Sequence, residues 1–287
     1  MIDKIQYYLV IFFAKTLMLL PKKPRRGVFK ALAYLTYLLY KKNRKIIEKN
    51  LRYVYDNISD KKIKQIQKSC YKKLFLTVLS IIENEHLTKE EIRSMVTFEN
   101  KEYLDNLEKP FIFVTAHLGN LDTLGVILGE FFGRTVHVQR KVKNPLLYNY
   151  MSKQREKYGI TFVEKHGAVK HLVRAIKKGE VISLVIDQSI RKSSATPVKF
   201  LGKDTYQLVT SSQLSHKFNI PILPIFIVGE DDEYKVILKE PIYPDGKSVE
   251  ELNQIQADIM SDVINKYPEE WFWCHKRFKN SNPSVYK

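Results

Sequence analysis

The stretch "FIFVTAHLGNLDTLGVILGEFF" (residues 111–132) changes its hydrophobic period in the middle. "FIFVTA" (111–116) is a short, β-rich apolar run of the kind that forms a buried strand. "LDTLGVILGEFF" (121–132) has helical spacing. Between them lie His117, Leu118 and two turn formers, Gly119 and Asn120, and Asn120 suits a helix cap. Strand, tight loop and helix start form the unit from which α/β folds are built. The carboxyl ends of their strands are where ligand clefts lie.

The same alternation continues downstream. Strand-like runs recur as "TVHVQR" (135–140), "ITFVEK" (160–165), "VISLVID" (181–187), "PVKFLG" (197–202) and "PILPIFIV" (221–228). Helical spacing separates most of them, in "PLLYNYMSKQREKYG", "AVKHLVRAIKKG" and "QLVTSSQLSHKFN". The pattern predicts an α/β fold, a sheet flanked by helices on both faces. "EYKVILKEPI" reads as a later edge strand, followed by an amphipathic helix and the aromatic, basic tail "WFWCHKRF". Upstream, "RKIIEKNLRYVYDNI" and "KKIKQIQKSCYKKLFLTVLSIIENE" are helical, with a turn and a cap at Asn57 to Asp60. Three parts follow from this reading: an anchor helix over 1–24, a membrane-proximal helical part over 25–100, and an α/β domain over 101–287.

Composition narrows the function. The 287 residues are 44% hydrophobic, enough for a sizeable core, so wholesale disorder is excluded. The two cysteines, Cys70 and Cys274, fit no metal-ligand spacing and no disulfide framework. Lys and Arg number 48 against 31 Asp and Glu, a net charge of +17 that favours anionic partners. The apolar residues choose among those partners. "IQYYLVIFFAKTLMLL" (5–20) carries one charge, Lys15, and is followed at once by Lys22, Lys23, Arg25 and Arg26. A second apolar stretch, "VFKALAYLTYLLY", ends in Lys41, Lys42, Arg44 and Lys45. Aromatic apolar segments between basic clusters suit an anchor at an anionic leaflet, with the rest of the chain on the cytoplasmic side. No zinc-finger or RNA-recognition signature speaks for nucleic acid.

His117 and Asp122 stand five positions apart. On one continuous helix they would diverge by about 140°. Across a strand–loop–helix junction the imidazole can fold back over the helix start and meet the carboxylate. That is the base and its orienting acid from a Ser-His-Asp triad, with the serine missing. An enzyme built this way takes its nucleophile from the substrate, as a hydroxyl attacking an activated acyl group. The spacing alone is a weak signal.

The surrounding segments make it stronger. "LLPKKPRR", "KKNRKIIEKNLRYVYDNIS", "TAHLGNLDTLG", "NPLLYNYMSKQREKYGI", "GEVISLVIDQS", "VKFLGKDTYQLVTSSQLSHKFNIPILPIF" and "YPEEWFWCHKRFK" together cover nearly the whole chain. In them the sequence resembles the late acyltransferases of lipid A biosynthesis, the lauroyl and myristoyl transferases within the lysophospholipid acyltransferase superfamily. The resemblance implies a glycerol-phosphate acyltransferase-like mixed sheet, His117 as general base, and Asp122 as its partner where most of the family has glutamate. It also points to Arg155 and Asp187. Arg155 would hold a phosphate or the phosphopantetheine arm, or pair with Asp187 to brace the site. Gln188, Lys199 and Gly202 are further candidates to line it, and the turn at Leu201 to Lys203 is a candidate oxyanion hole.

The resemblance implies acyl carrier protein as donor, with the acyl-carrier thioester as co-substrate and no cofactor or metal. It implies a membrane glycolipid, a lipid A precursor acylated on the hydroxyl of a 3-hydroxyacyl chain, as acceptor. The place implied is the cytoplasmic face of the bacterial inner membrane, on a single N-terminal anchor. The rival acceptors are a lysophospholipid or a phosphoinositide mannoside, and the rival from another class is a non-catalytic membrane adaptor. Of the other histidines, His137 reads as packing, and His166 and His171 as solvated. Trp271, Trp273 and His275 read as resting at the membrane interface or against the fold.

Overall fold

The computed structural model describes residues 2–140 and 142–287. Its first part is helical: α1 (Ile2–Met18), α2 (Lys22–Leu39), α3 (Lys41–Val54) and α4 (Asp60–Glu83). Ser59 caps α4 by accepting from the Lys62 N–H at 3.2 Å, inside the expected turn. Phe29, Ala33 and Tyr37 recur every fourth residue on α2 and are buried. That stripe packs along α4, where the Tyr37 ring meets Tyr71 edge-on at 5.8 Å. Arg25 and Arg26 on α2 both bond the Glu83 carboxylate at the end of α4, and Arg26 also reaches Asp232, at 2.9 Å.

A single N-terminal anchor that crosses the membrane is not supported. α1 runs 17 residues, which at 1.5 Å per residue is about 25 Å, short of a hydrocarbon core of about 30 Å. No helix among the described residues is long and apolar enough to cross a membrane. α1 lies against α2 and α8 instead, and Asn144 donates to the Asp3 carbonyl at 2.8 Å.

The rest of the chain alternates. After α5 (Lys89–Ser94), opened by a Thr88/Glu91 capping box, come β1 (Val96–Glu99), α6 (Glu102–Asp105), β2 (Ile112–Thr115), α7 (Leu121–Phe132), β3 (Thr135–Gln139), α8 (Pro145–Glu156), β4 (Ile160–Glu164), α9 (Ala168–Lys177) and β5 (Val181–Val185). The hairpin β6 (Ala195–Phe200) and β7 (Lys203–Leu208) follows, then α10 (Thr210–Phe218), β8 (Ile222–Glu230), β9 (Glu233–Leu238) and α11 (Val249–Lys266). Seven strands form one sheet in the order β1-β9-β8-β2-β5-β3-β4. Its pairs are parallel except β8 with β9, so the sheet is mixed.

Two strands depart from expectation. "EYKVILKEPI" supplies β9, which is not at the edge: β1 pairs outside it, from Val96↔Tyr234 to Glu99↔Ile237. "PVKFLG" leaves the main sheet and pairs with β7 as an antiparallel hairpin. Only alternate residues of these two strands are buried, and β6 packs on α11. A strand with one apolar face needs one covering layer, whereas the central strand β2 is buried at every position. The helical part and the sheet share one core, in which Tyr37, Ile47, Leu51 and Ile66 pack with Ile112, Ile182 and Trp271.

Candidate active site

β2 and β5 are parallel neighbours, with Thr115 opposite Val185. Two residues further along each strand, that register sets His117 beside Asp187. The His117 N–H donates to Asp187 Oδ2 at 2.9 Å, and the ring Nδ1 lies 2.7 Å from Asp187 Oδ1. The indole of Trp271 also donates to Asp187 Oδ2, at 2.7 Å. The loop turns at Gly119 (φ +66°), where an added Cβ would collide with the Ile227 carbonyl oxygen. Asn120 then caps α7 by accepting from the Thr123 N–H at 3.2 Å.

Exposure splits the pair. The His117 side chain keeps 33% of its surface open and that of Asp187 keeps 2%. Burial works against the Asp187 carboxylate, but the charge and hydrogen bond of His117, with the Trp271 and backbone N–H groups, hold it down at about 2. Burial likewise opposes the His117 imidazolium, and Asp187 outweighs it, so the ring titrates above its ordinary value. An ionised Asp187 only accepts, so Nδ1 carries the proton and a neutral ring presents a lone pair at Nε2. The Gln188 amide nitrogen stands 3.1 Å from that Nε2, where it donates.

Asp122 does not meet His117. It lies in the first turn of α7, where its carboxylate accepts from Asn84 at 2.8 Å and forms an ion pair with Arg155. Both side chains of that pair are largely buried, at 13% and 8% exposed. The reason is the capped turn at Gly119 and Asn120, which sends α7 off so that its first carboxylate faces α8 and the end of α4. Arg155 is therefore spent on Asp122, not on Asp187. Tyr158 supports the same corner by donating to the Asn84 carbonyl at 2.6 Å.

The C-terminal tail closes the site. Gly119 N–H donates to the Glu270 carbonyl at 2.9 Å, and Phe272 N–H to the His117 carbonyl at 2.8 Å. Over His117 opens a cleft of about 590 Å³ lined by Leu74, Thr77, Leu121 and Phe272, with Cys70 and the Lys73–Glu270 ion pair at its wall. The Cys70 thiol is buried, donates to the Trp271 carbonyl at 3.4 Å, and is held well above its ordinary pKa by that burial. The helix that lines the cleft, α4, exposes Leu74 and Val78. α1 and α2 beside it expose Leu9, Phe12, Phe13, Leu35 and Leu39.

The remaining candidates sit elsewhere. Lys199 and Gly202 are exposed on the β6–β7 hairpin. The Leu201 N–H is taken by Ser261 Oγ at 2.9 Å, so it is not free to serve as an oxyanion donor. His137 packs edge-on against Phe162, and burial lowers it to about 4. His166 and His171 are exposed. Trp271 and Trp273 are core residues. Sequence reasoning missed the Trp271 and Asn84 contacts, because Trp271 meets Asp187 across 84 positions and Asn84 meets Asp122 across 38.

The family model for bacterial lipid A biosynthesis acyltransferases matches residues 1–280. No curated protein matches the chain. Among solved structures it is similar to a crystal structure of the 1-acyl-sn-glycerophosphate (LPA) acyltransferase PlsC from Thermotoga maritima. The two share 16% identity over 88% of this chain and 99% of that one, with a TM-score of 0.43.

Proposed function

The chain belongs to the family of bacterial lipid A biosynthesis acyltransferases, and from that premise we propose that it moves a fatty acyl chain from an acyl carrier protein thioester to a hydroxyl of a lipid A precursor. His117 is the general base and Asp187 its orienting carboxylate. Nε2 takes the hydroxyl proton as the oxygen attacks the thioester carbonyl. The tetrahedral intermediate collapses with cleavage of the C–S bond, and the imidazolium returns the proton to the leaving thiolate. The ester and the free carrier thiol are the products.

The observation that carries this reading is the open Nε2 of an imidazole whose other nitrogen is fixed by a buried carboxylate. The cleft thiol, Cys70, is buried and held neutral, so the hydroxyl of the acceptor is the better nucleophile. Gln188 occupies Nε2 at rest and yields it to the incoming hydroxyl. Asp122, Arg155 and Asn84 brace the corner from which His117 is presented. The exposed apolar side chains of α1, α2 and α4 lie in the headgroup region of an anionic bilayer, and the net charge of +17 draws both that surface and an acidic carrier protein.

The test is transfer by the purified protein from acyl carrier protein or coenzyme A thioesters to a lipid A precursor, a lysophospholipid or a phosphoinositide mannoside. The expected product is acylated lipid A precursor from the carrier-protein donor, lost in His117→Ala. Near-wild-type transfer by His117→Ala would overturn the mechanism. Preference for another acceptor would overturn the assignment of substrate.

A further inference from the structure

Asp187 receives its third hydrogen bond from a residue far away in the chain. Trp271 is 2% exposed, and its position is fixed on every side. Its backbone bridges to Leu118, the residue after the base. Its ring meets Trp273 edge-on at 4.5 Å and 80°, and Phe200 at 5.7 Å. The Phe200 ring carries the Arg277 guanidinium at 4.7 Å. A ring held this firmly aims its one donor, the indole N–H, at Asp187 Oδ2.

We infer that Trp271 is a positioning residue that sets the proton affinity of His117 through its hydrogen bond to Asp187. The inference rests on the reading of His117 as the base. A donor on a carboxylate draws off negative charge and weakens the acceptor that the imidazolium sees. With the indole in place, Asp187 steers the ring without binding its proton too tightly. The other groups packed around the pair are Lys73 with Glu270 and Cys70 at the cleft wall, Gln188 on Nε2, and His275 and Arg277 on the tail. Asp122 and Arg155 face each other across the neighbouring corner. Of these, Gln188 alone bonds the pair, and it does so at Nε2; on the carboxylate, the Trp271 indole stands beside the N–H of His117 itself as a side-chain donor from outside the pair.

The chain has two tryptophans, which gives the test an internal control. Trp273 donates its indole N–H to the Pro268 carbonyl at 2.7 Å, not to a titrating group. With indole-15N-labelled wild-type protein, acidification through the His117 titration is expected to move the Trp271 indole proton upfield, because the imidazolium then shares the carboxylate. The Trp273 signal stays in place. Trp271→Phe keeps a ring and deletes the donor. It is expected to raise the His117 midpoint, read from the ring's own resonances, by about half to one pH unit. The acidic limb of transfer shifts with it, an activity loss of about three- to tenfold at a pH below both midpoints.

A Trp271 indole that stays flat while His117 titrates overturns the inference, and so does a Trp271→Phe protein with an unmoved midpoint. The first measurement needs no substitution, so a variant that fails to fold leaves the test intact. Neither resonance readout needs turnover. A wild type that transfers no acyl chain therefore sinks the functional reading while the role of Trp271 is still read.

Discussion

A general base is useful in proportion to the fraction of time its lone pair is free, and in the role proposed for His117 that fraction depends on Asp187. With His117 as the proposed base, the raised affinity of the ring is expected to place the acidic limb of transfer above the ordinary imidazole value of 6.5. Transfer is expected to fall as pH drops through that raised value, because protonation fills Nε2. A rate profile whose only acidic limb lies below 6.5 would contradict it. Asp187→Asn presents an amide N–H toward Nδ1 and holds the wrong tautomer, so transfer should fall by about 10²- to 10⁴-fold. Asp122→Asn should behave differently. It leaves Arg155 buried without its counter-charge, a loss of about 3–5 kcal/mol of stability in denaturant unfolding. The acidic limb of its residual activity should stay where the wild type has it. The double variant Asp122→Asn with Arg155→Met should be more stable than Asp122→Asn alone. If Asp122 instead acted on the ring, its substitution would move the limb.

At the scale of elements, the same two residues explain what the sequence could and could not reveal. Periodicity reveals each strand and helix separately, so β2, β5 and α7 were legible, and so was the position of His117 at a strand end. The partner of His117 was not, because it depends on strand order. β5 follows β2 by way of β3 and β4 in the chain, yet lies next to it in the sheet. Asp187 stands at the end of the strand-like run 181–187, and only the register Thr115↔Val185 brings it within hydrogen-bond reach of His117. β1 and β7 escaped notice because four residues of which none is fully buried, and six with alternate polar ones, carry little apolar signal. α7 supplies a prediction of its own. Gly129 lies inside a helix, where Ala is ordinarily better by about 1 kcal/mol. Here a Cβ would collide with the Tyr158 carbonyl oxygen, where backbone cannot yield cheaply. Gly129→Ala should therefore lower the melting temperature, and a rise would show that α7 and the α8–β4 corner are not packed this closely.

For the whole molecule, the placement of apolar side chains bears on how the site would meet the lipid acceptor proposed for it. Phe12 and Phe13 on α1 are 71% and 56% exposed, and Leu39 on α2 is 73% exposed. Side chains of that size left in water cost free energy that an interface recovers, at about 25 cal/mol per Å². Basic residues accompany them: Lys15 on α1, Lys22, Lys23 and Lys30 on α2, and Lys41 at the start of α3. Lys30 and Lys22 are engaged with Asp231 and Asp232 on the β8–β9 turn, which ties α2 to the sheet that carries His117. A bilayer seated on α1 and α2 would thus hold the cleft at a fixed height, with Leu74 of α4 at its mouth. Binding to anionic vesicles should weaken with salt, because exposed lysines are screened within about 8 Å at physiological ionic strength. It should also fall about tenfold or more in Phe12→Ser with Phe13→Ser, since two aromatic anchors contribute well over 1.4 kcal/mol. The same double substitution should leave transfer to a detergent-dispersed acceptor unchanged, because neither ring touches the cleft. Equal losses in both assays would mean that α1 supports the fold rather than the membrane contact.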